Sequence, residues 1–202
     1  MPNTLNTAKE DHHALSTRIV HAGLAAAICV QLLSSLVMHG PTETTPGDMI
    51  FQVHRYSGFV ALAFALLFWI TLTVRRRGTS PAALFPWFSR PRMRELLADA
   101  SRHLKSAIAW RFPSYEEDGP LASAVHGLGL LLMTAMAVSG GIYAAQVWAG
   151  FQSPEPDGNL AMTVHFALAN LVWAYLIAHA GMAALHHFAC SASLSRMWRL
   201  RA

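Results

Sequence analysis

Residues 160–188 read LAMTVHFALANLVWAYLIAHAGMAALHHF, and this stretch decides the fold. It lies within residues 158–195, which hold no Asp, Glu, Lys or Arg. A helix needs about 20 apolar residues to cross a hydrocarbon layer of about 30 Å. Lipid offers the backbone no hydrogen bonds, so such a run must satisfy its own N–H and C=O groups as a helix. Residues 19–42, 56–74 and 119–154 are equally free of charge. Working outward from the last run, four spans emerge at about 18–39, 50–74, 120–148 and 160–188. The composition agrees. Hydrophobic residues make up 53% of the 202 and charged residues 13%, the latter about half the usual share. Mean hydropathy is +0.33. An ordinary soluble enzyme needs more charge on its surface, and a disordered chain far fewer apolar residues.

The basic residues set a topology. The N-terminal tail carries Lys9 and Arg18; the loop between spans two and three carries nine more, from Arg75 to Arg111; the C-terminal tail carries Arg196, Arg199 and Arg201. Four spans place all three segments on one side. The other two loops carry Glu43, Asp48, Glu155 and Asp157, with only Arg55 at their edge. The positive-inside rule then puts both termini and the long loop in the cytoplasm. The basic pI of about 9.5 reads as topology, and no nucleic-acid partner is expected because no basic fold motif accompanies it. The N-terminus, MPNTLNTAKEDHHALSTR, lacks the pattern of a cleavable signal, so span one is expected to remain as an anchor.

The reading is therefore an all-α membrane protein: a polar cytoplasmic tail over 1–17, a four-helix transmembrane bundle over 18–190, and a basic cytoplasmic tail over 191–202. Within the loop 75–119 one further helix is expected at about 91–110. Met93, Leu96, Leu97, Ala100, Leu104, Ile108 and Trp110 give it an apolar face, with Arg94, Asp99, Arg102 and Lys105 opposite. That pattern suits a helix on the cytoplasmic membrane surface, or one packed on the bundle. Phe85, Pro86, Trp87 and Phe88 read as an interfacial aromatic anchor.

Histidine is the anomaly. Eleven histidines match the eleven acids, and an ionisable group inside a span is a functional candidate. His54 and His165 fall in the outer half, His21, His126 and His179 in the inner half. His165 and His179 are fourteen positions apart, hence on nearly one helix face and about 21 Å apart along the axis. Each can meet a histidine of another helix at its own depth: His54 outside, His21 or His126 inside. A zinc or copper site wants three or four converging ligands. Two opposed imidazoles suit the axial positions of haem iron. Cys29 and Cys190 form no C-x-x-C, which excludes covalent haem attachment and iron–sulfur sites; both thiols read as packing residues. Gly23, Ala25, Ala26, Ala27, Gly58, Gly140 and Gly141 leave room for a macrocycle or, equally, for close helix packing. Arg18, one turn before His21, and Arg55, beside His54, are candidate partners for propionates; Arg18 also serves as a positive-inside anchor.

Arg18-Ile-Val-His21 resembles the R-x-x-H of one family's first span, His54-Arg55-Tyr56-Ser57-Gly58 its H-x-x-x-G, and His165 with His179 the paired histidines of its fourth span. The chain thus resembles the bacterial cytochrome b561 family, which includes the cytochrome b subunits of nickel–iron hydrogenases and formate dehydrogenases. The resemblance implies two haem b groups, pairing of His21 with His179 and of His54 with His165, and a bacterial inner-membrane location. It also implies electron exchange with a membrane quinone and with a redox protein at the outer face, a c-type cytochrome or an oxidoreductase subunit. Ala22 departs from the Trp that often follows the first histidine, with a consequence for packing only; the extended loop leaves the partner open. For the assembly a homodimer is one option.

Three roles stay open for His126: inner ligand in place of His21, quinone contact, or a hydrogen bond to a neighbouring helix. His12 and His13 read as solvated, His39 as interfacial, His103 as a polar-face residue, and His186 with His187 as contacts of headgroups or else of propionates or quinone. Competing functions are a superoxide oxidase reducing quinone, a histidine-lined metal transporter, and a non-redox anchor subunit. The acidic outer loops argue against steering the superoxide anion. A transporter wants polar groups through the bilayer centre, where the sequence offers Ser34, Ser35 and Asn170. An anchor leaves the depth-matched histidines without a role.

Overall fold

The computed structural model describes residues 13–111, 116 and 118–188; the basic C-terminal tail, Lys9, His12 and Cys190 lie outside them. Among the described residues six α-helices run in the order α1 Leu15–Ser35, α2 Met49–Val74, α3 Pro81–Leu84, α4 Arg90–Ile108, α5 Pro120–Trp148 and α6 Leu160–Phe188, with a 3₁₀ turn at Pro86–Phe88 before α4. The described residues contain no strand. Four of the helices, α1, α2, α5 and α6, are long and apolar enough to cross a membrane.

The expected spans and the observed helices coincide for α2, α5 and α6. The first differs. Expected over 18–39, α1 runs from Leu15 to Ser35 and stops at Leu36. Charge counting marks where side chains turn apolar, and a helix that starts in the polar tail ends correspondingly earlier. Past its end, the backbone N–H and Nδ1 of His39 both lie 3.0 Å from Asp48 Oδ2. Asp48 in turn caps α2, its Oδ1 accepting the Phe51 N–H at 2.7 Å. That bond and the His39 contact hold the Asp48 carboxyl below its ordinary pKa, as expected for a charged N-cap.

The spans form a row. α1 packs on α2, α2 on α5, and α5 on α6. Their shared core is Leu24, Ala27, Ile28, Leu32, Ala61, Ala65, Met133 and Val172. Trp69 Nε1 donates to Thr134 Oγ1 at 3.0 Å, an α2–α5 bond of a kind that contributes about 0.6 kcal/mol in membrane bundles. α6 meets chiefly α5, and Val172 is the only buried residue on it. The space between α6 and the α1–α2 pair is therefore left to cavities. Cys29 is exposed; it does not pack in the core as expected, because it falls outside the stripe of Leu24, Ile28 and Leu32.

The loop helix is present, and its faces are divided differently from the expectation. Asp99, expected on the polar face, is buried against the start of α5. Its Oδ2 accepts the Leu121 N–H at 3.0 Å, and its Oδ1 lies 2.8 Å from Arg102 Nη2 and 2.9 Å from His103 Nδ1. The first turn of α5 has no capping side chain of its own, so an acid from another helix supplies one. Burial opposes ionisation, but the Leu121 N–H, Arg102 and His103 outweigh it and hold the Asp99 carboxyl below its ordinary pKa. Leu97, Leu104, Ile108 and Trp110 point outward, as does Phe88. Phe85 turns inward and stacks on Trp69, the ring centres 5.5 Å apart. The linker reaches α5 closely only because Gly127 lacks a side chain: a Cβ there would sit 2.0 Å from the Leu84 carbonyl oxygen.

Candidate functional site

Two histidine couples face each other across the space between α6 and its opposite helices. At one end His54 of α2 faces His165 of α6, ring centres 6.4 Å apart. At the other His21 of α1 faces His179 of α6, again 6.4 Å apart. A metal–imidazole bond of about 2.0 Å, plus about 1.2 Å from that nitrogen to the ring centre, puts the centres of two opposed imidazoles about 6.4 Å apart across one metal. Both couples match that spacing. Among the described residues no group of three or more His, Cys, Asp or Glu side chains is placed to hold a metal ion.

The His54–His165 couple, called outer after the side that the charge pattern predicts, as His21–His179 is called inner, is oriented by its neighbours. His54 Nδ1 lies 3.0 Å from Ser34 Oγ and 3.2 Å from the Gln31 carbonyl oxygen. His165 Nδ1 lies 3.1 Å from Ser139 Oγ and 3.0 Å from the Met136 carbonyl oxygen. A carbonyl accepts only, so each Nδ1 carries the proton and donates. Each Nε2 then carries the lone pair that a metal needs. Gln31 of α1 also bonds Ser57 Oγ at 2.6 Å and the His54 carbonyl, which ties α1 to α2 beside the couple. A cavity of about 500 Å³ opens beside the rings, within the ordinary range for cofactor sites; Gly58, Gly140, Gly141, Met136 and Trp173 are on its wall. A Cβ on Gly140 would come within 3.2 Å of the His165 ring. Arg55 is on the same wall, its guanidinium carbon 5.0 Å from the Tyr56 ring centre and 5.7 Å from that of Trp148.

The inner couple is built otherwise. Tyr175 stacks on His179 at 5.4 Å, nearly parallel. Its hydroxyl occupies the place where a Cβ of Gly129 would be. His126 of α5 stands edge-on to His179 at 5.1 Å. The cavity here is about 120 Å³, with His21, His126, His179 and Tyr175 on its wall. The ring spacing fits a bis-imidazole iron, while the room beside it is tighter than at the outer couple. Arg18 is buried, 2% exposed, one turn before His21. It is not among the residues that line either cavity.

The structure thus brings together His54 with His165, and His21, His126 and His179 with one another. Arg55 lies beside the first group and Arg18 apart from the second cavity. Sequence reasoning missed Gln31, Ser139 and Tyr175. The rule that a polar group inside a membrane must find a partner points to Gln31 and Ser139. Of the glycines, Gly58, Gly140 and Gly141 adjoin the outer cavity. Gly23 serves close packing, since a Cβ there would sit 2.3 Å from the Phe64 ring.

No curated protein and no solved structure matches the chain. The family model of prokaryotic cytochrome b561 matches residues 12–200, which takes in all four spans and all five histidines of the two couples and their neighbour. Four helices long and apolar enough to cross a membrane, two facing histidine couples and that match converge: the chain belongs to the prokaryotic cytochrome b561 family, and membership implies that it binds haem b.

Proposed function

We propose that the protein is a di-haem electron carrier of the bacterial inner membrane, exchanging electrons between a membrane quinone and a redox protein at the outer face. His54 and His165 hold the outer haem; His21 and His179 hold the inner one. The observation that carries this reading is the 6.4 Å separation, repeated in both couples. When bound, each haem supplies one-electron redox chemistry without an open coordination position. The chain's own residues do the rest. Ser34 with the Gln31 carbonyl, and Ser139 with the Met136 carbonyl, keep Nε2 of His54 and His165 aimed inward. Apolar side chains of the common core keep water from the path between the couples. His126, on the wall of the inner cavity, is assigned to quinone contact, where an imidazole exchanges protons with the reduced ring.

Fourteen of the fifteen basic residues flank one membrane face, which supports cytoplasmic termini. α4 lies along that face with Leu97, Leu104 and Ile108 in the headgroup layer and Arg90, Arg94 and Lys105 over anionic lipid. The test is direct. The full chain, purified from membranes in mild detergent, is expected to be red, to contain two non-covalent haem b per chain, and to be reduced by a short-chain quinol or by dithionite. A colourless, correctly inserted protein overturns the reading. Two haems that dithionite reduces and no quinol reduces overturn the quinone assignment alone.

A further inference from the structure

We propose that Arg75 and Thr17 form the carboxylate-binding end of the inner cavity and hold the propionates of the haem clasped by His21 and His179; the assignment rests on the di-haem reading. A b-type haem carries two carboxylates, and burying them is costly unless each meets a cation or a hydrogen-bond donor. The inner cavity offers both at one end. Thr17 opens α1 and Arg75 closes α2, so both stand at the membrane face where the charge-free runs stop. Both are on the same cavity wall as His21 and His179.

Thr17 is 2% exposed, and its hydroxyl has no hydrogen-bond partner in the protein. A buried hydroxyl in that state costs stability unless a ligand completes it. The Arg75 guanidinium is half-buried and gives one N–H to the Thr79 carbonyl. It has five N–H donors in a planar fork suited to carboxylate. Burial pushes its pKa down, with Asp118 pulling the other way, so a further anion at this end offsets the cost of burying the guanidinium. Asp118 Oδ1 accepts from Thr79 Oγ1 at 2.8 Å. Gly78 keeps the approach open. Its φ is +100°, and a Cβ there would lie 3.1 Å from His13 Nδ1 and 3.5 Å from Arg75 Nη1. Arg18, the sequence candidate for this role, does not line the cavity.

The test is a redox titration of the full-length haem protein in detergent, followed by absorbance, together with the rate of haem transfer to an apo-globin acceptor. Losing a cation beside a haem disfavours the reduced state. Arg75→Gln is therefore expected to lower the midpoint potential of one haem component and to speed its transfer about tenfold. Thr17→Val should move the same component by less, and Arg75→Lys should restore most of the shift. Arg55→Gln should move the other component. The proposal is overturned if Arg75→Gln and Thr17→Val leave both components in place, or if Arg75→Gln moves the component that Arg55→Gln moves. Should Arg75→Gln fail to insert, Thr17→Val decides alone, an unmoved component rejecting the assignment. Wild-type protein with fewer than two haems defeats the di-haem reading and this assignment with it; two haems with unmoved potentials defeat the assignment only.

Discussion

On the proposed di-haem reading, replacing His21 by Ala is expected to remove one haem, and replacing His126 by Ala none. Both imidazoles stand beside His179, one at 6.4 Å and one at 5.1 Å between ring centres. An iron between two opposed imidazoles needs about 6.4 Å. The His21 couple already has it. Seating iron between His126 and His179 requires their rings to separate by more than about 1 Å. Those rings sit on α5 and α6, which pack directly on each other, and a close-packed interface does not open by that amount without losing contacts. The assay is haem per chain by alkaline pyridine extraction, on protein purified in mild detergent. His21→Ala is expected to fall from two haems to one, and His126→Ala to keep two while losing quinol-driven reduction. A His21→Ala protein that keeps two haems, beside a His126→Ala protein that drops to one, refutes the spacing argument.

Gly140→Leu puts a branched side chain where a Cβ alone comes within 3.2 Å of the His165 ring; one haem per chain should remain, with the inner component's potential unchanged in titration. Gly129→Val meets the Tyr175 hydroxyl, since even a Cβ would lie 2.0 Å from it, so Tyr175 must leave its stack on His179 and the inner haem should be lost preferentially. Asp99→Ala deletes the cap on α5 and two ion-pair contacts, and should cost about 1–3 kcal/mol, read as a lower melting temperature in detergent and faster amide exchange at the start of α5. The folded pKa of Asp99 is depressed below 3.8. Its contribution is thus fully present above that value and is lost as pH falls through the folded pKa. Wild type and Asp99→Ala should therefore converge in melting temperature at acid pH and stay apart at neutral pH.

The bundle was legible in the sequence because lipid leaves the backbone one solution. Gaps in charge marked three of the four spans to within a residue or so. The same rule missed the start of α1, where a helix extends into polar sequence and charge says nothing about backbone geometry. The histidine couples were legible through depth, as helical rise is fixed. What separates His21 from His126 is a ring-to-ring distance, which no spacing along one helix determines. Asp99 was misplaced for a related reason. Helical periodicity sorts residues into faces, yet it does not say that the start of α5 will approach the acidic one. Gln31 escaped because it is uncharged, and Tyr175 because an aromatic residue in a span looks like ordinary packing.

The fourth wall of this bundle is fastened on one side only. α6 leans chiefly on α5, and Val172 is its one buried residue in the shared core. On the di-haem reading, iron would then be a mortar as well as a conductor. In a cell starved of haem, freshly inserted chains would present a loosely hinged last helix, with the glutamine and serine supports of the outer couple turned toward lipid. Membrane proteases act on such slack segments, so the supply of porphyrin would set how many copies survive, and the protein's abundance would track the cofactor it carries.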